Sequence, residues 1–353
     1  MKPIDRWIHA AGHSGRTAWY LAHALAAARL SSPVLENLPA GLPDRAAYLH
    51  DLRALLQRDA AQIAAGRYAM PEDLLARPRD ALRRSTLFFA DLGRINLRRM
   101  RNDGQEVYRS ENEETERRRR PRYYLQNFHY QTDGWMSEGS AELYDFQVDV
   151  LFNGAADVMR RQALLPIGDF LRHRRQTDLR LLDIATGTGR FLRAIKQNFP
   201  RLPVTGLDLS AAYLAKSSEA LAPWSWKAFV LANAEALPFD DDSQDIVTSV
   251  YLLHELPKTA RQRVASEMAR VLKPGGRLIL IDSLQTGDHP PFDGLLELFP
   301  VLYHEPYYRE YTQTDLVALY EDVGLSHMQT DRAFMSKMMV FGKTGRTAAR
   351  AVR

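Results

Sequence analysis

Leu181-Leu182-Asp183-Ile184-Ala185-Thr186-Gly187-Thr188-Gly189-Arg190 is the stretch whose reading decides the fold of this 353-residue chain. An apolar run carrying an acid near its end reads as a buried parallel strand. Gly187 and Gly189 then open a helix near Arg190, because glycine tolerates positive φ and lets a ligand approach the backbone. A nucleotide-like ligand over that turn would face the amides of a helix N-terminus. A dinucleotide loop would carry a third glycine in G-x-G-x-x-G. Here Asp183 precedes a turn with two glycines. Its carboxylate would repel a pyrophosphate and suit a ligand bearing an ammonium group.

Outward from this stretch the chain alternates strand and helix. Val204–Asp208, Trp226–Ala232, Asp245–Val250 and Arg277–Asp282 read as further strands, with Ser210 capping a helix after the second. A single helix is expected from about Ser140 through Arg161, then another over residues 164–174. Late strands near His327–Thr330 and Lys337–Phe341 would form an antiparallel hairpin at one sheet edge. The expected fold is α/β: a Rossmann-like, mostly parallel seven-stranded sheet preceded by a helical N-terminal domain. The boundary falls near Ala163, giving domains 1–163 and 164–353, the second with an aromatic lid inserted at 283–311.

Four features occur in order. They are Asp183-x-Ala185-x-Gly187-x-Gly189, the strand-end acid Asp208, Asn233-Ala234-Glu235-x-Leu237-Pro238-Phe239, and Arg270-Val271-Leu272-Lys273-Pro274-Gly275-Gly276. Together they resemble the class I S-adenosylmethionine-dependent methyltransferases, in particular the ubiquinone/menaquinone C-methyltransferase-like group. The resemblance covers residues 180–283 and extends loosely over the rest of the second half.

It implies S-adenosyl-L-methionine as cofactor. Ala185, Gly187 and Gly189 would lie against the methionyl portion, with Asp183 favouring its ammonium end. Asp208 would accept the ribose hydroxyls, while Leu209, Asn233 and Ala234 would bracket the adenine. Ala185 stands where the family has a glycine, and Asn233 where many relatives have aspartate. Tyr251, His254 and Glu255 follow the fourth strand, where the family places residues beside the transferring methyl, and His254 is the candidate base. Methyl transfer from a sulfonium chiefly requires orientation and exclusion of water. A base is needed where the acceptor loses a proton.

The first half reads as helical, rich in Ala, Leu and Arg, and carries no catalytic signature. Glu113, Glu114 and Glu116 pair at i,i+4 with Arg117, Arg118 and Arg120, a self-paired solvated face. Phe128, His129, Tyr130 and Trp135 alternate with hydrogen-bonding side chains. With Tyr303, His304 and Tyr307 of the insertion they are candidates for enclosing a flat or lipid-like acceptor.

The chain has no cysteine, which excludes disulfides and thiolate chemistry. No metal site is expected, since His129, His254, His304, Glu255 and Glu305 show no short ligand spacing such as H-E-x-x-H. A net charge of +4 is too mild to make nucleic acid an expected partner. The apolar stretch 19–30 is too short for a membrane span, so a cytoplasmic protein is expected. The helical half would serve a homodimer interface as readily as a lid. The expected activity is methylation of a small-molecule acceptor. An RNA- or protein-modifying enzyme and a non-catalytic cofactor-binding partner protein stand as alternatives.

Overall fold

The computed structural model describes residues 3–31, 45–72, 74, 78–107 and 120–344. The paired charges at 113–118 and the tail beyond 344 lie outside them. In chain order the helices begin with α1 (Pro3–Leu30), α2 (Arg45–Ala64), α3 (Pro78–Arg101), α4 (Glu138–Leu151), α5 (Ala156–Arg161) and α6 (Leu164–Leu171). Then come β1 (Leu181–Ile184), α7 (Arg190–Asn198), β2 (Val204–Asp208), α8 (Ala211–Ala220), β3 (Lys227–Leu231), β4 (Gln244–Val250), α9 (Lys258–Val271) and β5 (Leu272–Ser283). The chain closes with α10 (Asp293–Tyr303), α11 (Tyr308–Tyr311), α12 (Leu316–Glu321), β6 (Leu325–Ala333) and β7 (Ser336–Lys343). It divides into a helical unit, Met1–Met159 with Leu284–Thr312, and a sheet unit, Arg160–Ser283 with Gln313–Arg353.

In the helical unit the core gathers Tyr20 of α1, Phe88 of α3, and Leu143, Phe146 and Val150 of α4. Helix α2 buries Asp51, Leu52, Leu55, Asp59 and Ile63, a single helical face that contains two acids. Each acid finds histidine: His289 Nε2 lies 2.8 Å from Asp51, and His9 Nε2 lies 2.9 Å from Asp59. Arg16 of α1 donates to Asp149 Oδ2 at 2.5 Å and to the Gly154 carbonyl at 3.1 Å. That carbonyl lies where the single helix expected over 140–161 breaks. Asn153 and Gly154 take φ of 49° and 79°, a left-handed pair that stops α4 and restarts the chain as α5.

The inserted segment Leu284–Thr312, expected to go with the second domain, groups instead with the N-terminal helices. The reason is a set of polar ties made far apart in sequence. Arg99 gives two hydrogen bonds to the Leu302 carbonyl, at 3.0 and 2.8 Å. His289 meets Asp51, and His129 Nε2 lies 3.2 Å from Glu305 Oε1. No described helix is long and apolar enough to cross a membrane.

The sheet unit holds a seven-stranded sheet in the order β3-β2-β1-β4-β5-β7-β6. Strands β1 to β5 run parallel, and β7 is antiparallel to both β5 and β6. Leu181, Leu182 and Ile184 are fully buried, as are Ile246, Val247 and Leu278. Helices and neighbouring strands thus cover β1 completely, at about 1.5–3 kcal/mol for each buried aliphatic side chain. The Pro274-Gly275-Gly276 stretch lies at a register shift between β4 and β5, with Gln244 opposite Leu272 and Ile246 opposite Arg277. Strand order reverses between β1 and β4, so the crevice for a ligand lies at the carboxyl ends of these strands.

Candidate active site

Asp183 faces Thr248 across the β1–β4 ladder. The Thr248 hydroxyl donates to Asp183 Oδ1 at 2.6 Å, and the Thr186 hydroxyl lies near the same carboxylate. Burial pushes the Asp183 pKa up to about 6 in spite of these two hydroxyls and the Arg160 cation. The group is still mostly ionised at neutral pH. After β1 the chain turns through Ala185, Gly187 and Gly189 with φ of 57°, 57° and 78°. Gly189 is obligatory for packing, since a Cβ there would meet Ser217 Cα at 2.9 Å. Gly187 is different: a Cβ there would meet nothing within 4 Å. The first glycine therefore opens a space rather than filling a contact.

Asp208, at the end of β2, binds this turn. Its Oδ2 accepts from the Gly187 amide at 2.8 Å and its Oδ1 from the Ser210 amide at 2.9 Å. Desolvation raises the Asp208 pKa against those amide bonds. Leu209, Asn233 and Ala234 are half-buried beyond the ends of β2 and β3. Asn233 donates to Glu235 Oε1 at 3.3 Å and accepts from the Glu235 amide at 2.9 Å. An aspartate at 233 would instead place a second carboxylate beside Glu235.

Residues 182–280 match the profile of a protein family described as a methyltransferase domain. This stretch is a class I methyltransferase domain. The chain is 37% identical over 105 residues to the demethylmenaquinone methyltransferase of Thermotoga maritima, covering 30% of this chain and 44% of that one. It is 31% identical over 170 residues to a ubiquinone/menaquinone biosynthesis C-methyltransferase of Desulfotalea psychrophila, covering 48% and 63%. It is 34% identical over 162 residues to that of Methylobacterium nodulans, covering 45% and 62%. The chain thus spans roughly half the length of the curated relatives it matches. The methyltransferase domain implies S-adenosylmethionine as cofactor. The open space over Gly187, the acid at the end of β2 and the Arg160 charge in the neighbourhood of Asp183 all fit that ligand.

In this methyltransferase domain the chain after β4 is fixed by Asp282 of β5. Asp282 Oδ1 lies 2.5 Å from His254 Nδ1, and its Oδ2 accepts from the Leu253 amide at 2.8 Å. His254 is buried, so its ring orientation is set by the carboxylate. Tyr251 takes φ of 58° and shares a hydrogen bond with Ser336 Oγ at 2.9 Å. Arg160 lies 5.5 Å above the Tyr251 ring. Glu255 is half-exposed in the same short turn. Asp282 and Arg160 are not among the residues singled out in sequence. Asp282 was legible as another acid at a strand end, whereas nothing local marks Arg160.

The aromatic candidates lie in the helical unit. The His129 ring is 5.3 Å from Trp135 and 5.6 Å from Tyr303. Phe128 stacks on Trp135 at 5.8 Å, Tyr130 meets His304 at 5.3 Å, and Tyr307 meets Tyr123 at 6.5 Å. His129 and Tyr303 line a cavity of about 340 Å³ with Arg99, Gln147, Asn153 and aliphatic side chains. Gln147 Oε1 and Asn153 Oδ1 are buried acceptors with no hydrogen-bond partner among the described residues. Burial raises the Tyr303 phenol pKa, with Arg99 opposing the rise.

Proposed function

We propose that this protein is an S-adenosylmethionine-dependent methyltransferase acting on a small aromatic or lipid-like acceptor. The observation that carries the reading is the pairing of an open left-handed glycine at Gly187 with the Asp208 carboxylate bonded to its amide. The cofactor supplies a methyl group on a positively charged sulfur. Asp208 keeps lone pairs for two ribose hydroxyls while its amide bonds hold it in place. Asp183, buried beneath the turn, favours the ammonium end through its charge, and Arg160 offers a cation for the carboxylate of the same amino-acid moiety. Leu209, Asn233 and Ala234 receive the adenine.

His254, oriented by Asp282, serves as base for acceptors that must lose a proton, with Tyr251 and Glu255 flanking it. The helical unit's cavity, apolar with two unsatisfied acceptors, suits an acceptor with an apolar body and hydroxyl donors. The unsatisfied oxygens of Gln147 and Asn153 favour a hydroxylated ring over a plain hydrocarbon, because burying them unbonded costs about 1–3 kcal/mol each.

Calorimetric titration with S-adenosylmethionine tests the reading, with NADH as control. Wild-type protein should bind the former at micromolar concentration and ignore the latter. Asp208→Ala should lose about two hydrogen bonds to a charged acceptor, on the order of a hundredfold or more in affinity, with the circular dichroism spectrum unchanged. Near-normal affinity in a folded Asp208→Ala variant would reject the ribose assignment.

A further inference from the structure

We propose that His9, His13 and Asp59 in the helical unit form a binding site for one divalent first-row transition-metal ion. His9 and His13 are four residues apart on α1 and so share a helix face. Asp59 arrives from the buried face of α2. The three are 3%, 4% and 0% exposed. Both histidines aim Nε2 at one oxygen: His9 lies 2.9 Å from Asp59 Oδ2 and His13 lies 3.6 Å from it. The rings are tilted with centroids 4.4 Å apart, and one ligand atom from each residue lies within 4.8 Å of the others.

The His9 separation of 2.9 Å suits a hydrogen bond as well as a shared ion, but the 3.6 Å of His13 is too long for a hydrogen bond. Zinc bonds of about 2.0–2.1 Å at tetrahedral angles set ligand atoms about 3.3 Å apart, and the two histidine–aspartate separations of 2.9 and 3.6 Å bracket that edge. His9 and His13 turn Nε2 toward the same carboxylate oxygen, as two ligands of one ion would. Two neutral imidazoles and a carboxylate are a donor set that zinc and iron accept. The other carboxylate oxygen is already held, since the Tyr68 hydroxyl donates to Asp59 Oδ1 at 2.8 Å. Such an outer partner orients the ligating oxygen.

Gly12, between the histidines, lets α1 approach so closely that a Cβ there would meet Leu74 Cδ2 at 2.5 Å. Ala10 stands where a hydrolytic H-E-x-x-H site carries its glutamate, and it is exposed. The ion therefore clamps α1 to α2 and does no hydrolytic chemistry. The site is independent of the methyl-transfer reading.

The test is titration of chelator-dialysed protein with Zn²⁺ alone against a chromogenic competitor. Wild type should take up one equivalent, with a melting temperature several degrees above that of the chelated protein. His13→Gln should bind at least a hundredfold more weakly. Co²⁺ substitution in wild type supplies a readout free of mutation, because a four-coordinate nitrogen–oxygen site gives intense visible absorption and a hydrated ion does not. Failure of wild type to take up Zn²⁺ or to develop that absorption would overturn the site. So would undiminished uptake by a folded His13→Gln variant.

Discussion

In the sheet unit the important charges stand at one end of the strands, where backbone amides meet them. Asp208 takes the amides of Gly187 and Ser210, and Asp282 takes that of Leu253. In the helical unit the charges are buried between elements distant in sequence, and they meet other side chains. Asp59 meets His9, Asp149 meets Arg16, and Asp51 meets His289. The first arrangement follows from topology, since parallel strands collect at one end whatever ends in an acid. The second depends on pairs that must be kept together, because losing one member leaves a buried charge. Mutations should therefore act on binding in the sheet unit and on stability in the helical unit.

The largest effect is expected at Arg16. Its guanidinium is about one-tenth exposed, lies 2.5 Å from the Asp149 carboxylate, and also bonds the Gly154 carbonyl at the α4–α5 break. Arg16→Ala strands Asp149 without its cation and should cost about 3–5 kcal/mol, the range for breaking a buried pair. Hydrogen exchange should show lost protection in α1 and α4, with β1 unchanged. A loss under 1 kcal/mol in denaturant titration would put this pair with exposed surface pairs and dissolve the contrast between the units.

Asp183 is the exception in the sheet unit, a carboxylate buried beneath the strand ends, and its effect should appear against pH. Its pKa is pushed from 3.8 up to about 6 by desolvation. Below pH 4 the group is protonated in folded and unfolded chains alike, and its contribution is whole. Between pH 4 and 6 the unfolded chain has released the proton and the folded chain retains it, so unfolding releases a proton and stability falls as pH rises. Above pH 6 the loss is complete, at about 3 kcal/mol for a shift of this size. Asp183→Asn keeps an acceptor for Thr248 and removes the titration. The wild-type minus variant difference in unfolding free energy should fall between pH 4 and 6.5, and a flat difference would assign the carboxylate an ordinary pKa.

How much could be read in advance follows the same division. The glycine turn, the strand-end acids and the antiparallel hairpin are local patterns, and the sheet order fits them. The cofactor candidates on β1, β2 and beyond β3 lie at one end of the sheet because every parallel strand delivers its carboxyl end there. The placement of 284–312 with the helical unit was not legible, because it depends on Asp51–His289 and His129–Glu305. The spacing of His9 and His13 was visible in the chain. Its meaning was not, since Asp59 lies fifty residues from His9 on another helix. The break at Asn153–Gly154, by contrast, was legible in the chain, since an asparagine–glycine pair readily takes left-handed φ and stops a helix.

The smallest effect sharpens the comparison most, because it puts one backbone conformation in both units. Ala185 and His129 take left-handed φ of 57° and 55°. For a residue with a Cβ this costs about 1–2 kcal/mol, and glycine removes the cost while adding about 0.5–1 kcal/mol of unfolded-chain entropy. At Ala185 the side chain is a single methyl, so Ala185→Gly should stabilise the sheet unit by about 0.5–1 kcal/mol. At His129 the ring contacts Trp135 and Tyr303 and faces Glu305. His129→Gly should destabilise despite the same relief of φ, because Glu305 is 1% exposed and would lose its histidine. Thermal melts of the two variants should move in opposite directions. Equal shifts would mean that backbone strain, rather than the side chain's partners, sets stability at both turns.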